Sequence, residues 1–417
     1  MKIEDLYELY ITHGLVDTDT RNIRKNTLFF ALKGEQFNGN KFADEAINKG
    51  ASYAVIDEAE YKTSKKQILV KNVLETLQEL ANYHRNQLQV PIIALTGSNG
   101  KTTTKELINA VLSTTYNTTA TKGNLNNHIG VPLTLLSMNN TTEIGIIEMG
   151  ANHAKEIELL SKIANPDYGY ITNFGSAHLE GFGSLEGVVK AKSELYDFLR
   201  AHGKKVFVNP KDAKQVAKTI GIETISFEES INFTEANPFV KLSYKKTMIL
   251  SSLIGAYNFS NISAAITIGN YFKVPLERIK KAIESYVPSN NRSQVIHTDA
   301  NKIILDAYNA NPTSMEAALE SFSKLQTNNK TIILGDMFEL GEYSSKEHQN
   351  IVNLTEKLGL EQAFFIGENF YNTLTEHKKF KNFYEFEAYI KNNPINNRTI
   401  LVKGSRGMAL ERAVALF

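Results

Sequence analysis

The segment VPIIALTGSNGKTTTKELINAVL at residues 90–112 constrains the fold more than any other part of the sequence. It begins with an apolar run typical of a buried strand, and from Lys101 onward apolar residues recur on one helical face. Between the two lies a loop with Gly97 and Gly100, which lets the backbone approach a ligand closely. A strand, a glycine loop and a helix N-terminus in this order predict a phosphate site in an α/β domain.

The loop TGSNGKT is a shortened form of the general nucleotide-binding loop. The position five residues before Gly100 holds Leu95, where the general pattern has glycine. In that pattern the lysine, here Lys101, reaches the outer phosphates, and the Thr102 hydroxyl binds Mg²⁺. A glycine turn that only caps a helix is the alternative interpretation. The strand before the loop and the helix after it favour phosphate binding.

Composition excludes several function classes. The chain has 46 basic and 45 acidic residues, so no broad electrostatic field attracts nucleic acid or an anionic membrane. The N-terminus lacks the apolar core of a secretory signal, and no uninterrupted apolar run is long enough to span a bilayer. These features predict a cytoplasmic protein. The absence of cysteine excludes disulfides and thiolate sites, which leaves a hard cation such as Mg²⁺ as the expected metal.

The order of apolar and helical segments predicts three α/β domains in the 417 residues. A small α/β unit ends in a helix at 73–87. A mostly parallel sheet follows, with strands at 144–147, 168–171 and 206–208, and a third block has strands at 303–305, 332–334, 364–366 and 400–402. We place the domains at 1–88, 89–292 and 293–417, and expect phosphate at the carboxyl edge of the central sheet.

Three ionisable residues downstream of the loop are candidates for chemistry. Glu148 ends an apolar strand, where its carboxylate can meet Mg²⁺ beside a triphosphate; an ordinary solvated strand end is the alternative. His178 and Lys192 taken singly are more often a structural histidine and a solvated charge. Spacing alone does not bring the three together.

Seven motifs, taken in order, resemble the Mur ligase family: TGSNGKTT, KGNLNNHIGVPLTLL, EMGANH, ITNFGSAHLEGFGSLEGVVKAKSE, DAYNANPTSMEAAL, GDMFELG and LVKGSRG. They extend across all three blocks. The resemblance implies a small N-terminal domain that binds a UDP-muramoyl substrate, a central P-loop ATPase-like domain, and a C-terminal Rossmann-like ligase domain. It also implies an ATP-dependent ligase of peptidoglycan precursor synthesis, most similar to the member that adds D-Ala-D-Ala to a UDP-muramoyl tripeptide.

The resemblance implies roles for individual residues around ATP and Mg²⁺. Lys101, Glu148, His178 and Lys192 are implied to be catalytic. The implied metal ligands are Thr102, Glu148, His178 and a carbamylated Lys192. Two departures from the family pattern are Tyr257, where histidine is usual, and Asn291, where glycine is usual. The residues implied to bind ATP are Gly97, Ser98, Asn99, Gly100, Lys101, Thr102, Thr103, Asn258, Arg292, Asp306, Tyr308 and Asn309.

Other positions match the family's substrate-binding segments. The family often has Asp-Gly-His at the uridine site, where this chain has Asn38, Gly39 and Asn40, so a different hydrogen-bond arrangement is expected there. The implied partners are UDP-N-acetylmuramoyl tripeptide and D-Ala-D-Ala, and the chain is expected to be a monomer without nucleic acid or membrane insertion. The residues implied to bind substrate are Thr20, Arg21, Asn124, Asn127, His128, Lys403, Ser405 and Arg406.

Two alternatives to this function remain at the level of sequence. A related ligase that adds a single amino acid would share the phosphate loop and the metal ligands, and a non-catalytic ATP-dependent switch would also need a phosphate loop. The sequence does not distinguish diaminopimelate from lysine as the third residue of the acceptor peptide.

Overall fold

The N-terminal block is built on a small parallel sheet. The computed structural model of the protein describes residues 1–289, 291–327 and 329–417. The strands of this block are β1 (Val16–Asp17), β2 (Leu28–Phe30), β3 (Lys33–Gly34), β4 (Phe37–Asn38), β5 (Tyr53–Ile56) and β6 (Gln67–Leu69). Its helices are α1 (Ile3–His13), α2 (Ala43–Asn48) and α3 (Val73–Leu88). The sheet order is β1-β2-β5-β6 with parallel pairing, and β3 pairs with β4 as a short antiparallel ribbon.

The helix predicted at 73–87 is confirmed as α3, and local chemistry fixes both of its ends. The Asn72 side chain accepts hydrogen bonds from the backbone N–H groups of Leu74 and Glu75, which caps the helix N-terminus. At the other end Gln89 adopts a left-handed φ of 52°, so the chain leaves the helix before Pro91. The boundary that we placed between residues 88 and 89 falls at this turn.

The central block contains the phosphate loop. Its strands are β7 (Ile92–Thr96), β8 (Thr118–Ala120), β9 (Ile144–Glu148), β10 (Tyr168–Ile171), β11 (Lys205–Val208), β12 (Glu223–Ser226), β13 (Ile231–Ala236), β14 (Phe239–Tyr244) and β15 (Thr247–Ile254). Its helices are α4 (Lys101–Leu112), α5 (Gly130–Leu135), α6 (Glu156–Ala164), α7 (Leu179–Phe182), α8 (Leu185–Ala201), α9 (Ala213–Lys218), α10 (Asn258–Tyr271) and α11 (Leu276–Ser285). The main sheet has the parallel order β12-β11-β10-β7-β9-β8, so the predicted parallel sheet is confirmed.

The central block also contains a small antiparallel sheet, β13-β14-β15, which was not predicted from the sequence. Its middle strand buries Val240, Leu242 and Tyr244 in alternation, as expected for a sheet with one covered face. These side chains share a core with Ile262 and Ile266 of α10. The sheet therefore supports the helix that follows it.

The C-terminal block has a second large sheet. Its strands are β16 (Gln294–His297), β17 (Asn301–Asp306), β18 (Lys330–Gly335), β19 (Gln362–Ile366), β20 (Lys378–Phe380) and β21 (Arg398–Lys403). Its helices are α12 (Pro312–Ser323), α13 (Ser344–Lys357), α14 (Glu368–Tyr371) and α15 (Phe383–Asn392). The order is β16-β17-β21-β18-β19-β20, and only the pairing of β16 with β17 is antiparallel among the described strands. The predicted α/β class is confirmed in each block.

The N-terminal and central blocks share one hydrophobic core, which includes Leu80 of α3 and Leu135 of α5. The Tyr10 hydroxyl donates to the backbone oxygen of Leu136 at 2.7 Å. The Arg85 guanidinium forms an ion pair with Asp167 at 2.6 Å. Because these contacts join the two blocks, α1 and α3 pack against the central block.

The C-terminal block contacts the central block close to the phosphate loop. Nδ2 of Asn311 donates to Oδ1 of Asn99 in the loop at 2.7 Å. The backbone N–H of Ser176 donates to Oγ1 of Thr313 at 2.9 Å. The N-terminus of α12 therefore lies against the segment that is predicted to hold phosphate.

Candidate active site

The phosphate loop has a backbone conformation that requires glycine at two positions. Gly97 has a φ of +143°, and a Cβ atom there would lie 2.0 Å from Oγ1 of Thr172. Gly100 has a φ of +77°, and its Cβ would lie 2.8 Å from Oδ1 of Asn261. Both the left-handed φ and the close approach of a neighbour exclude a side chain at these positions. The two glycines thus shape the loop at the N-terminus of α4.

Residues that follow β10 hold the loop in place. The backbone N–H of Ser98 donates to the backbone oxygen of Asn173, and the Ser98 hydroxyl donates to Gly175 O at 2.8 Å. The backbone N–H of Asn99 donates to Oδ1 of Asn173, and the Thr172 hydroxyl donates to Asn99 O at 2.6 Å. The first N–H groups of α4 have no acceptor within the helix. They can bind an anion, as the sequence predicts for residues 100–103.

Lys101 lies at the start of α4 and folds back over the loop. Its Nζ atom donates to the backbone oxygens of Gly97 at 2.7 Å and Ser98 at 3.3 Å. Burial lowers the pKa of the Lys101 ammonium, the Glu148 carboxylate opposes this shift, and the Arg292 charge adds to it. Lys101 is therefore held at the loop, where the negative charge of a bound phosphate would compensate the charge of its ammonium group.

Glu148 and Thr102 form the part of the site best suited to a hard cation. The Thr102 hydroxyl donates to Oε1 of Glu148 at 3.2 Å, and Nδ2 of Asn126 donates to the same oxygen at 2.8 Å. The second carboxylate oxygen, Oε2, is buried and has no hydrogen-bond partner among the described residues. A buried carboxylate oxygen without a partner is costly unless it meets a proton or a cation. Thr102 and Glu148 therefore fit Mg²⁺, which prefers oxygen ligands.

Lys192 is fully buried on α8. Its Nζ atom donates to the backbone oxygen of Ala151 at 3.0 Å and lies 5.1 Å from the ring centroid of Phe182. Burial lowers the pKa of Lys192 well below its usual value, and the Lys101 charge lowers it further, while Glu156 and Glu194 oppose the shift. Burial thus shifts the protonation equilibrium of Lys192 towards the neutral amine.

His178 lies at the start of α7 with a left-handed φ of 54°. Its Nδ1 atom is 2.5 Å from Oε2 of Glu339 in the C-terminal block. The contact with His178 lowers the pKa of the Glu339 carboxyl, and partial burial opposes this effect. Phe182 contacts both side chains: its ring centroid lies 6.4 Å from that of His178, in an edge-to-face arrangement, and 5.1 Å from Nζ of Lys192.

Of the four predicted metal ligands, only Thr102 and Glu148 are in direct contact with each other. Thr102 contacts Glu148, whereas His178 contacts Glu339. Within residues 1–289, 291–327 and 329–417, no three acidic or histidine side chains are close enough together to form a metal-binding group.

Asp306 lies at the end of β17, opposite Lys403 at the end of β21. Oδ2 of Asp306 accepts a hydrogen bond from Nζ of Lys403 at 2.6 Å, and Oδ1 accepts from the backbone N–H of Ser293 at 3.1 Å. The sequence motifs implied different ligands for Asp306 and Lys403. The structure instead pairs them, so each orients the other.

Arg292 and Arg406 lie against the ring of Tyr308. The guanidinium carbons are 3.7 Å and 5.1 Å from the ring centroid, respectively, which is the range of cation–π contacts. Nε of Arg292 is buried and has no hydrogen-bond partner among the described atoms, so this guanidinium keeps a donor for a ligand. Asn291 adopts a left-handed φ of 58°, consistent with a position that is usually glycine.

Asn258 and Asn309 were both expected to bind ATP. Nδ2 of Asn258 donates to Ile254 O at 2.7 Å, and its Oδ1 accepts from Asn261 at 2.8 Å, so this buried amide is committed within the protein. Asn309 is exposed, and its side-chain oxygen accepts from the backbone N–H of Ala310.

The predicted substrate residues differ in their accessibility. Ser405 is buried, and its hydroxyl oxygen accepts from the backbone N–H of Phe338, so its role in the structure is to hold a loop. Five of the others are exposed and could meet a ligand from solvent: Arg21, Asn124, Asn127, His128 and Arg406. Thr20 is buried.

The segment with Asn38, Gly39 and Asn40, which was expected to bind uridine, has its own hydrogen-bond network. The side-chain oxygen of Asn40 accepts from the backbone N–H of Asp57, and its Nδ2 donates to Oδ1 of Asp57 at 2.9 Å. Nδ2 of Asn38 donates to Glu58 at 2.8 Å. Gly39 is required because a Cβ there would lie 2.5 Å from Leu32 O.

Sequence reasoning missed several residues of the site. Asn126 contacts Glu148 although only its neighbours Asn124 and Asn127 were named. Asn311 and Glu339 reach the site from the C-terminal block. Asn126 lies within the quoted motif KGNLNNHIG, so its amide was a visible signal, whereas contacts between blocks leave no signal in spacing.

Three family descriptions match the chain in succession. "Mur ligase family, catalytic domain" matches residues 13–91, "Mur ligase middle domain" matches 95–269, and "Mur ligase, glutamate ligase domain" matches 291–406. The chain is 36% identical to UDP-N-acetylmuramoyl-tripeptide–D-alanyl-D-alanine ligase of Bacillus subtilis (strain 168), covering 98% of this chain and 93% of that protein.

Solved structures agree with this similarity. The crystal structure of MurF from Acinetobacter baumannii superposes with a TM-score of 0.86 at 31% identity, covering 96% of this chain and 92% of that one. MurF ligase from Thermotoga maritima in complex with ADP superposes with a TM-score of 0.87 at 24% identity, covering 100% of this chain and 98% of that one. At 24% identity, the Thermotoga maritima structure supports only the fold of this chain.

Proposed function

The chain belongs to the Mur ligase family, and we propose that it joins D-Ala-D-Ala to UDP-N-acetylmuramoyl tripeptide in an ATP-dependent reaction of peptidoglycan precursor synthesis. The observation that carries this proposal is the 36% identity, over 98% of the chain, to a relative that is named for this reaction. A ligase for a single amino acid and a non-catalytic ATP-dependent switch have no comparable support.

The reaction needs activation of a carboxylate, because its negative charge deters an amine and hydroxide is a poor leaving group. The terminal carboxylate of the tripeptide attacks the γ-phosphorus of ATP, and the bond to the β,γ-bridging oxygen breaks to release ADP. The amine of D-Ala-D-Ala then attacks the acyl phosphate, and the tetrahedral intermediate releases phosphate and forms the amide. Lys101 and the N–H groups at the start of α4 offset negative charge on the transferring phosphoryl group.

We propose that Mg²⁺ is held by Thr102, Glu148 and His178, with a carbamylated Lys192 as a further ligand. The buried, unpartnered Oε2 of Glu148 supports this assignment. Bound Mg²⁺ would neutralise charge on the phosphate oxygens. His178 contacts Glu339 through Nδ1, so Nε2 is the ring nitrogen that could meet the metal while Glu339 orients the ring.

The remaining residues are proposed to bind the substrates. Arg292 keeps a buried donor for the phosphates, and Asp306 is proposed to accept hydrogen bonds from the ribose hydroxyls. Thr20 and Arg21 are proposed to contact the uridine nucleotide. None of the helices in the described parts of the chain has the length and hydrophobicity needed to cross a bilayer. A cytoplasmic location, where ATP is supplied, and a monomeric state stay predictions.

The proposal is tested by the product. The purified chain is incubated with ATP, Mg²⁺, D-Ala-D-Ala and UDP-muramoyl tripeptides containing either diaminopimelate or lysine, and the products are identified by mass spectrometry. We expect the mass of the amide-linked pentapeptide with at least one acceptor. Ligation of a single D-Ala or D-Glu in its place would favour a different member of the family.

ATP hydrolysis is expected to depend on the acceptor peptide. The attacking group is the tripeptide carboxylate, so enzyme, ATP and D-Ala-D-Ala without the tripeptide should release little phosphate. Phosphate release is measured with each substrate omitted in turn. Rapid hydrolysis by the enzyme and ATP alone would contradict the proposed order of attack.

Asp306→Ala is expected to raise the KM for ATP by about tenfold, the size of one lost charge-assisted hydrogen bond to the ribose. The substitution also leaves the buried Lys403 ammonium without its anion. Asp306→Asn also removes the anion beside Lys403 but keeps an acceptor beside Ser293. Comparison of the two variants, with each melting temperature recorded, therefore separates loss of the acceptor from loss of the charge. An unchanged KM in both variants would remove Asp306 from the nucleotide site.

A further inference from the structure

Tyr257 makes a contact that crosses from the central block to the C-terminal block. Its hydroxyl oxygen lies 3.0 Å from Oγ of Ser293, within hydrogen-bond distance. Tyr257 directly precedes Asn258, the first residue of α10. Ser293 directly follows Arg292 in the segment between the blocks. The hydrogen bond therefore joins the start of α10 to the beginning of the C-terminal block.

Ser293 is itself committed to Asp306. Its backbone N–H donates to Oδ1 of Asp306 at 3.1 Å, while Lys403 donates to Oδ2. Ser293 is buried and adopts a left-handed φ of 49°, which a serine does not favour. A conformation of this kind persists only where neighbouring contacts hold it. The Tyr257 hydroxyl is one such contact.

The ring of Tyr257 also packs closely against Gly255. It lies over Gly255, where an added Cβ would be 2.4 Å from Cε1 of the ring, and Gly255 has a left-handed φ of 93°. The residue is 39% exposed, and its hydroxyl lies against the buried Ser293. Burial of the phenol raises the pKa of Tyr257, the Asp306 charge raises it further, and the Ser293 contact opposes the shift. The hydroxyl is thus protonated at neutral pH.

We propose that Tyr257 is a positioning residue for the ribose of ATP, acting through Ser293 on the Asp306 carboxylate. The inference rests on the proposed use of ATP. A histidine at position 257 has a shorter side chain and would not reach Ser293 from the same backbone. The connection is therefore a property of the tyrosine in this chain.

The test is Tyr257→Phe, which removes one oxygen atom and keeps the ring over Gly255. We expect the KM for ATP to rise about fivefold, the effect of one lost hydrogen bond, with kcat within about twofold of wild type. The KM for 2′,3′-dideoxy-ATP should stay unchanged, because this nucleotide has no ribose hydroxyls for Asp306 to bind. The preference for ATP over the dideoxy analogue should therefore fall about fivefold.

Two further variants separate positioning from a general structural effect. Ser293→Ala should reproduce the loss of preference, and the double variant should show no additional loss, because both changes break one connection. Tyr271→Phe is the matched control, since its hydroxyl contacts Tyr168 near the other end of α10. Its preference for ATP should equal that of wild type.

These measurements distinguish a wrong positioning role for Tyr257 from a wrong proposed function. If Tyr257→Phe raises both KM values equally, or leaves both unchanged, the positioning role is wrong. If wild type and Tyr271→Phe do not form the amide product from ATP, the proposed function itself fails. Direct titration with ADP and 2′,3′-dideoxy-ADP, without acceptor peptide, should show the same change in preference and does not depend on ligation.

Discussion

Lys101→Ala is expected to lower kcat by about 10²- to 10³-fold, the usual cost of removing a group that stabilises developing charge. The Lys101 ammonium lies at the start of α4 beside Gly97 and Ser98, and Glu148 is near enough to oppose the lowering of its pKa. The transferring phosphoryl group needs a cation at this point while its oxygens redistribute charge. We expect kcat to fall more than binding of the acceptor peptide.

The fold should survive this substitution. Lys101 donates to two loop carbonyls, and losing such hydrogen bonds typically costs about 1 kcal/mol each in the free energy of unfolding. Steady-state kinetics is therefore paired with thermal unfolding. Lys162→Ala is the matched control, because Lys162 is exposed on α6 and pairs only with Glu158 among the described ion pairs. Turnover near that of wild type in Lys101→Ala would remove this lysine from the phosphate site.

Local chemistry explains why so much of the fold was predictable. The apolar segments at 144–147 and 168–171 became β9 and β10, because continuous apolar runs between helical segments are buried in parallel sheets. The antiparallel strands β13, β14 and β15 were missed. The exposed side chains of Phe233, Met248 and Leu250 lie on them and interrupt the simple alternation of apolar and polar residues.

The site was predictable only where one segment supplies its geometry. The loop with Gly97 and Gly100 is such a segment, since strand, turn and helix follow one another along the chain. The contact of Asp306 with Lys403 joins residues 97 positions apart and depends on the register of β17 with β21. Asn311 reaches Asn99 across two blocks. Register and packing between blocks are set by tertiary structure, which residue spacing does not encode.

Lys192 is a buried lysine that forms no ion pair with a carboxylate among the described residues. It donates only to Ala151 O among the described hydrogen bonds, and the Lys101 charge disfavours its ammonium form. A neutral amine can react with dissolved carbon dioxide, forming an N–C bond and releasing one proton. The resulting carbamate is an anion, so the Lys101 charge that disfavours the ammonium would stabilise the carbamate. Its oxygens also suit a hard cation.

Lys192→Ala is therefore expected to lower kcat by about 10²-fold, since it removes the proposed anionic oxygens from the site. Lys190→Ala is the matched control, because Lys190 is exposed on the same helix, two residues away. A small carboxylate such as acetate can enter the space left by the lysine and should restore part of the activity of Lys192→Ala. It should have no effect on Lys190→Ala or on wild type.

The carbamate is tested separately from activity. Wild type and Lys190→Ala, each incubated with isotopically labelled bicarbonate, should show a carbamate carbon signal by NMR that is missing in Lys192→Ala. At a fixed concentration of dissolved carbon dioxide, labelling should increase as pH rises, because formation of the carbamate from the neutral amine releases a proton. Full activity of Lys192→Ala would exclude a catalytic role for this residue. A wild-type spectrum without the signal, recorded with Mg²⁺ and ADP present, would show that the lysine is unmodified and acts as an amine.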